Sequence, residues 1–289
     1  VNSSAASDVY KRQFQLCAPQ DSLPSLNWVT RRQMNIIRAI SAIIGRSPIM
    51  ARHRCNICDH RVWKFLPYRG GFKSAPPLML AIEFTGSDLD NCECPWCGAT
   101  DRERHLAMYM KVRGLLDSLA GKEVLHFAPE PRIARLVAEQ GPARHVQADL
   151  YPTRPDIERI DMMQIPYPDG TFDLIVANHV LEHVADYPAS LQELSRVLKP
   201  GGMAILQTPF SAKLEATWSD DGIDDDRSRL HAYGQEDHLR LFGKDIFERF
   251  AIAGLTSRVQ GHDELLPDVD AQTFGVNQAE PFFLYEKTC

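Results

Sequence analysis

Short apolar runs alternate with helix-periodic stretches along the second half of the chain. The runs are too short for helices and are bounded by turn residues, which predicts strands. We predict strands at 123–128, 144–149, 172–177 and 202–207, and helices at 131–140 and 186–198. Strands that alternate with helices are typical of a parallel sheet with helices on both faces. The pattern therefore predicts an α/β fold whose ligands lie at the carboxyl ends of the strands.

The same periodicities predict the flanking elements. We predict a helix over 106–119 that Gly121 ends, a helix from Asp245, a final antiparallel strand pair at 255–261 and 281–287, and strands at 62–68 and 78–84 joined by a loop. The chain is thus expected to contain a small upstream module and a larger α/β domain.

The first fifty residues differ in character from the rest. Residues 5–13, AASDVYKRQ, resemble a translated library adapter, so we interpret 1–27 as an artefactual or disordered leader. Residues 28–50 are spaced as an amphipathic basic helix, expected to pack on the body of the protein rather than on a membrane surface. We find no signal peptide and no apolar run near the ~20 residues of a membrane span. We therefore expect a cytoplasmic protein.

Charge is distributed unevenly along the chain. The net charge is −6, yet the segment Arg31–Lys73 contains ten basic residues and a single acid, Asp59. Such asymmetry favours a basic module that meets an anion, with RNA as a possible partner. The alternative is a solvated basic face balanced by an acidic domain.

Two pairs of cysteines have the spacing of metal-binding knuckles. They are Cys55-x-x-Cys58 and Cys94-x-x-Cys97, and Gly98 after the second pair permits a left-handed backbone. Four thiolates close a tetrahedral zinc site, which makes 51–100 a zinc-ribbon-like module with a structural ion. Cys92, His53 and His60 are possible substitute ligands. Reduced cysteines or disulfides remain the alternatives.

The loop after the first predicted strand contains no glycine. It reads Ala128-Pro129-Glu130-Pro131, whereas a pyrophosphate-binding loop needs glycines for close backbone approach. A carboxylate at Glu130 suits a cationic ligand instead, or simply stabilises a helix N-terminus. Asp149 ends the next strand, 19 residues later, where an acid can accept both hydroxyls of a ribose. This loop therefore disfavours a dinucleotide.

Four segments of this region together carry a family resemblance. They are VLHFAPE, ADLY, DMMQIPYPDGTFDLIVANHVLEHV and RVLKPGG, within roughly residues 120–260. The chain resembles the class I S-adenosylmethionine-dependent methyltransferases of the type 11 sort. The resemblance implies a seven-stranded Rossmann-like sheet over 101–289, with a substrate insert at about 211–243. It also implies S-adenosylmethionine as the cofactor, which has no phosphate and carries an ammonium and a sulfonium.

The resemblance also assigns roles to particular residues. Asp149 would hold the ribose, Asp161 the adenine amino group, and Met162 the ring through its backbone; turn capping is the alternative for both aspartates. The implied cofactor-binding set is His126, Ala128, Glu130, Asp149, Leu150, Asp161, Met162, Asn178 and His179. Methyl transfer to a hydroxyl usually needs a nearby base, and histidine is the natural candidate. The candidate catalytic residues are His179, His183 and His238.

The acceptor is left open among three classes. A small-molecule or sugar acceptor, methylated on oxygen or nitrogen, is favoured because the insert can roof a pocket. RNA is the second class, because a zinc module before such a domain resembles some ribosomal RNA guanine methyltransferases. The third is a catalytically inactive binding module. The insert run GQEDHLR, ending at Arg240, resembles a run in a set of bacterial methyltransferases, and its role does not follow from the sequence.

Overall fold

The computed structural model describes residues 51–251 and 254–288, together with Ile36, Ala39 and Ile40. The predicted leader at 1–27 lies outside the described residues, as does the predicted helix at 28–50 apart from those three positions. The chain divides into two compact units. Unit 1 comprises the described residues up to Ala75 with Ser87–Met108 and Pro267–Gln278, and unit 2 comprises Pro76–Gly86, Tyr109–Leu266 and the residues from Ala279.

The described residues contain strands and helices of modest length. The strands are β1 (His53–Arg54), β2 (Arg61–Val62), β3 (Phe84–Thr85), β4 (Glu123–Phe127), β5 (Arg144–Asp149), β6 (Glu158–Arg159), β7 (Phe172–Ala177), β8 (Leu198–Ile205), β9 (Phe210–Ser211), β10 (Leu255–Ser257) and β11 (Leu284–Lys287). The α-helices are α1 (Pro77–Ala81), α2 (Asp101–Val112), α3 (Pro131–Glu139), α4 (Tyr187–Val197), α5 (Asp226–Tyr233), α6 (Ile246–Phe250), α7 (His262–Leu265) and α8 (Ala271–Phe274).

Unit 2 is built on a seven-stranded mixed sheet in the order β10-β11-β8-β7-β4-β5-β6. Strands β8, β7, β4, β5 and β6 are parallel, whereas β11 lies antiparallel between β8 and β10. The predicted α/β sheet and the predicted final antiparallel pair are therefore confirmed. The central strands are apolar along their length because both of their faces are covered, as parallel sheets require. Leu125, Ile175 and Val176 are all fully buried.

Helix α3 shows how the sequence sets the direction of the chain after β4. Pro131 occupies the first helical position, where its missing N–H removes no helical hydrogen bond. Ile133, Ala134 and Val137 are buried on one face. This apolar stripe packs the helix, so its N-terminus stays beside the end of β4.

Several predicted elements upstream of the sheet are wrong. Residues 77–81 form helix α1 instead of a strand, because Pro77 fits a first helical turn and cannot donate to a sheet. Of the predicted strand at 62–68, only Val62 belongs to a strand, β2. The helix predicted over 106–119 ends at Val112, shortly before Gly114 turns the backbone with φ 65°.

Unit 1 is organised around the buried guanidinium of Arg104. This side chain is fully buried, and its nitrogens donate to five backbone carbonyls at 2.5–3.2 Å, those of Asn91, Cys92, Ala99, Phe274 and Gly275. The guanidinium also lies 3.8 Å from the centre of the Phe65 ring. Gly275 has φ 59°, and a side chain there would overlap Phe65. Arg104 therefore joins three separate segments of unit 1.

Within the described part of the chain, no helix is long and apolar enough to cross a membrane.

Candidate functional site

The candidate site lies along one edge of the sheet in unit 2. Parallel strands β7, β4 and β5 are in register, with Phe127 opposite both Ala177 and Ala148. The residues that follow these strands therefore meet at the same edge, where α/β sheets bind ligands. The edge contains Ala128 and Glu130 after β4, Asp149 at the end of β5, Asn178 after β7, and Asp161 shortly after β6.

The glycine-free loop adopts a conformation typical of glycine. Ala128 has φ 44°, and its N–H donates to the carbonyl of Ala148 at 2.8 Å. A left-handed backbone costs an L-residue with a side chain roughly 1–2 kcal/mol. Alanine is the smallest such residue, so the loop turns as a glycine loop would while keeping a methyl group.

Ala128→Gly is expected to change the free energy of unfolding by less than about 1 kcal/mol, because relieved strain offsets the added unfolded-state entropy. Ala128→Val is expected to destabilise the protein, since a β-branched residue with positive φ is an outlier. Urea denaturation of the two variants measures the difference. Equal stabilities for the glycine and valine variants would contradict a left-handed backbone at this position.

Glu130 is held in place by side chains from two strands. Asn178 donates its amide to Oε1, and His126 Nε2 lies 3.2 Å from Oε2. The ring of His126 is fully buried beneath the carboxylate and stacks on His145, whose pKa is lowered to about 4, chiefly by burial. Glu130 therefore presents a fixed negative charge at the N-terminus of α3.

Asp149 is a buried carboxylate with one oxygen uncommitted. It is 3% exposed, and Oδ1 accepts from the N–H of Tyr151 at 2.8 Å. Oδ2 has no hydrogen-bond partner among the described residues. Burial raises the pKa of this carboxyl. A buried oxygen acceptor without a donor is unfavourable, so a ligand hydroxyl would satisfy it.

Asp161 and its neighbours form a turn at the far end of the same edge. Asp161 Oδ1 accepts from the N–H of Met163 at 2.9 Å, a turn-capping bond. The side chain of Met162 is buried in the core of the sheet, which leaves only its backbone available. Leu150 is half-buried beside Asp149.

The side chain of His179 lies between two acidic side chains, and its backbone is strained. It has φ 54°, its Nε2 lies 3.1 Å from Glu280 Oε1, and its Nδ1 lies 3.4 Å from Glu182 Oε1. All three side chains are buried. Sequence reasoning missed Glu280, because an isolated acid 101 residues away carries no local signal.

The insert brings His238 next to His183. The two rings are 4.8 Å apart, edge to face. Asp237 lies on the other side of His183, with its carbonyl 3.2 Å and its Oδ2 3.3 Å from Nδ1. Burial lowers the pKa of His238 to about 4, which makes this histidine neutral at physiological pH. The run GQEDHLR thus completes a buried cluster that begins at the end of β7.

Arg240, at the end of that run, fixes the insert to the sheet edge. It is buried, and its guanidinium donates to the carbonyls of Leu181, Val184 and Ala185. The N–H of Leu239 also donates to the carbonyl of Glu182 at 3.0 Å. These bonds hold the segment after β7 in the short 3₁₀ turn Leu181–His183.

In unit 1, the four predicted cysteine ligands come together. Sγ of Cys55 is 3.8 Å from that of Cys97, and Sγ of Cys58 is 3.9 Å from that of Cys94. All four sulfurs lie within 4.8 Å of one another. These separations are far longer than the ~2.05 Å of a disulfide. The possible substitute ligands Cys92, His53 and His60 are not in the group.

The two knuckles have the same backbone pattern. Asp59 N–H donates to Cys55 O at 2.8 Å, and Gly98 N–H donates to Cys94 O at 2.9 Å. Both residues have positive φ, 62° for Asp59 and 70° for Gly98. The left-handed turn expected at Gly98 is therefore confirmed, and Asp59 adopts it in the first knuckle.

Residues 112–206 match the family model described as a methyltransferase domain. The matched segment contains β4, β5, β7 and β8, and it includes Glu130, Asp149 and Asn178. The malonyl-[acyl-carrier protein] O-methyltransferase of Halorhodospira halophila is 27% identical over 173 residues, 58% of this chain and 49% of that protein. The demethylmenaquinone methyltransferase of Staphylococcus saprophyticus is 49% identical over 45 residues, 16% of this chain and 19% of that protein.

Among solved structures, an S-adenosylmethionine-dependent methyltransferase from Mesorhizobium loti is 17% identical and has a TM-score of 0.41, covering 62% of this chain and 96% of that one. The chain spans about half the length of the Halorhodospira relative and a smaller share of the Staphylococcus relative. Residues 112–206 are therefore similar to a methyltransferase domain, and both curated relatives are methyltransferases.

Proposed function

We propose that this protein transfers a methyl group from S-adenosylmethionine to an oxygen or nitrogen of a small-molecule or sugar acceptor. The methyltransferase match over 112–206 supports the reaction class. The relatives named for a malonyl group and for demethylmenaquinone support a small organic acceptor. The observation that carries the proposal is Asp149, a buried acid at a strand end with an oxygen that lacks a donor.

The charges at the sheet edge fit this cofactor. Asp149 Oδ2 can accept from a ribose hydroxyl, and Glu130, held by Asn178 and His126, can meet the ammonium of the methionine part. The backbone at Met162 and the turn at Asp161 would face the adenine. When bound, S-adenosylmethionine supplies a methyl group on a sulfonium, which is already a good leaving group. The protein then mainly needs to align two reactants and exclude water.

The acceptor proton requires a base when the acceptor is a hydroxyl. His179 directly follows Asn178 at the end of β7, and two buried carboxylates flank its ring. Both ring nitrogens face these carboxylates, so one nitrogen must turn away from its carboxylate before it can take a proton from the acceptor. We propose His179 as the base because it directly follows Asn178, whereas His183 lies in the turn Leu181–His183 and His238 lies in the insert.

We also propose a structural zinc ion in unit 1. A tetrahedral zinc with Zn–S bonds of ~2.3 Å separates its sulfurs by about 3.8 Å. Two of the sulfur separations, 3.8 and 3.9 Å, support this geometry. Four thiolates leave no open position, so the ion would steady the fold of unit 1 without taking part in chemistry.

Cys58→Ser is expected to lower the zinc content by about one equivalent and to destabilise unit 1, because the remaining thiolates cannot close the site. Elemental analysis of the dialysed full-length chain measures the ion. Cys92→Ser, which changes a neighbouring cysteine outside the group, is the matched control. Zinc retained in full by Cys58→Ser would contradict the proposed ligand set.

Calorimetric titration of the full chain with S-adenosylmethionine tests the function. We expect saturable binding near one equivalent, followed by transfer of radiolabelled methyl groups to small hydroxylated or amine acceptors. Absence of binding would overturn the proposal. Binding with label only in added RNA would instead support the alternative based on the basic segment Arg31–Lys73, whereas binding without any transfer would support an inactive binding module.

A further inference from the structure

The carboxylate of Glu182 is the most unusual buried group in unit 2. Glu182 is 1% exposed, and neither carboxylate oxygen has a hydrogen-bond partner in the described residues. The nearest basic atoms are His179 Nδ1 at 3.4 Å and His183 Nε2 at 3.8 Å, both from Oε1. A buried ionised carboxylate is strongly unfavourable without a counter-charge, and the nearest histidine, His179, is shared with the buried carboxylate of Glu280. One positive ring cannot balance two carboxylates, so a further cation close to Glu182 would be favourable.

Two histidines next to this carboxylate are oriented as metal ligands are. His183 Nδ1 faces the Asp237 carbonyl at 3.2 Å, and His238 Nδ1 faces the Tyr233 carbonyl at 2.9 Å. Carbonyl oxygens only accept, so each Nδ1 carries a proton that it donates. Ligating histidines in proteins almost always make such a bond with one nitrogen, which fixes the ring and leaves the other for the ion.

Glu182, His183 and His238 are close enough together to share one ion. One ligand atom from each of Glu182, His183 and His238 lies within 4.8 Å of the other two. Zinc bound at 2.0–2.2 Å holds its ligand atoms roughly 3.4 Å apart, so the three side chains would have to move closer together when the ion binds. All three side chains are buried, which restricts competition from water.

A protonated His183 would neutralise the charge of Glu182 less well than a bound metal ion would. His183 Nε2 is 3.8 Å from Oε1, which is beyond hydrogen-bonding distance. Moreover, Asp237 Oδ2, at 3.3 Å from Nδ1, already supplies that ring with a counter-charge. A metal ion bound between the three residues would instead contact a carboxylate oxygen of Glu182 directly.

We propose that Glu182, His183 and His238 bind a divalent transition-metal ion of the zinc type, at a site separate from the four cysteines. Two imidazoles and a carboxylate suit zinc and related ions, and three protein ligands leave a coordination position open. Asp237 acts as a positioning residue for His183. This assignment gives a role to the run GQEDHLR, which supplies one ligand and the positioning acid, and it does not depend on the proposed methyl transfer.

Metal content of the full-length chain tests the site. After incubation with excess zinc and dialysis, we expect about two equivalents of zinc in the unmodified protein and about one in Glu182→Gln. The glutamine keeps the shape of the side chain and removes its charge. His238→Gln is expected to give the same loss. Glu280→Gln removes a buried acid beside His179 without touching the ligand set, and is expected to keep both ions.

Cobalt substitution assigns each ion to its site. Cobalt bound by thiolates gives an intense charge-transfer absorption, which Cys58→Ser should remove and Glu182→Gln should retain. The retained band shows that unit 1 of Glu182→Gln is folded, and a far-ultraviolet circular dichroism spectrum equal to that of the unmodified protein shows that unit 2 is folded. Identical metal content in the unmodified protein, Glu182→Gln and His238→Gln would overturn the proposal. One equivalent that is lost in Glu182→Gln but kept in Cys58→Ser would support this site and contradict the cysteine site.

Discussion

Asp149→Asn is expected to weaken the binding of S-adenosylmethionine by at least about 10-fold, because a hydrogen bond to a charged group is worth about 1.5–3 kcal/mol. The amide has nearly the same shape, but it loses the negative charge and replaces one acceptor with a donor. Asp149 is 3% exposed, so water does not easily take over its role. Titration calorimetry of the full chain at constant pH and salt measures the loss of affinity.

Asp156→Asn is the matched control, since this exposed acid pairs with Arg154 just beyond the end of β5. Its replacement is expected to leave the affinity unchanged.

Burial raises the pKa of Asp149, and a hydroxyl donor binds its ionised form. Affinity should therefore decline on acidification at a higher pH than for an ordinary aspartate. The asparagine variant should lack this decline. Equal affinities for the unmodified protein and Asp149→Asn would remove the main support for the proposed cofactor site.

Arg104→Met is expected to be the most destabilising single change in unit 1. Methionine fills much of the volume but removes the Arg104 donors of five backbone carbonyls, of which those of Cys92 and Ala99 keep a backbone N–H donor. Breaking a buried charged network of this kind costs about 3–5 kcal/mol, a large part of the stability of a small unit. Urea denaturation followed by Trp63 and Trp96 fluorescence, together with zinc content, measures the effect.

Arg102→Met, two residues earlier on α2, is the control. Arg102 is half-buried and donates to Ser87 Oγ at 2.6 Å, so its replacement is expected to cost much less. Similar stability of the two variants would show that the hydrogen bonds of Arg104 to five carbonyls do not hold the segments of unit 1 together.

Predictions from sequence succeeded where the local pattern determines the structure. Strands β4, β5 and β7 match their predicted bounds to within a residue. β4 and β7 are largely apolar because both of their faces are covered, whereas β5 alternates between buried and more exposed positions. The two knuckles were equally predictable, since the spacing of their cysteines is itself the geometric constraint. In contrast, the apolar run at 78–84 has no regular period, and Pro77 directed its first half into a helix.

Contacts between distant segments could not be predicted. Arg104 lies in the run DRERH, which is typical of a solvated helix surface, and its burial depends on carbonyls about 170 residues away. Glu280 reaches His179 in the same way. His238 was selected from its motif, but its proximity to Glu182 and His183 depends on how the insert folds back.

The bonds of Arg240 have a consequence for how this protein could change its acceptor preference. Three charge-assisted bonds join the segment around Arg240 to the chain after β7. Any movement of that segment as a flap would have to break all three, which opposes such a movement. Selectivity for the acceptor would then depend on a fixed segment of the insert. Libraries that seek new acceptors should therefore vary the exposed residues 219–222 and leave residues 237–240 unchanged.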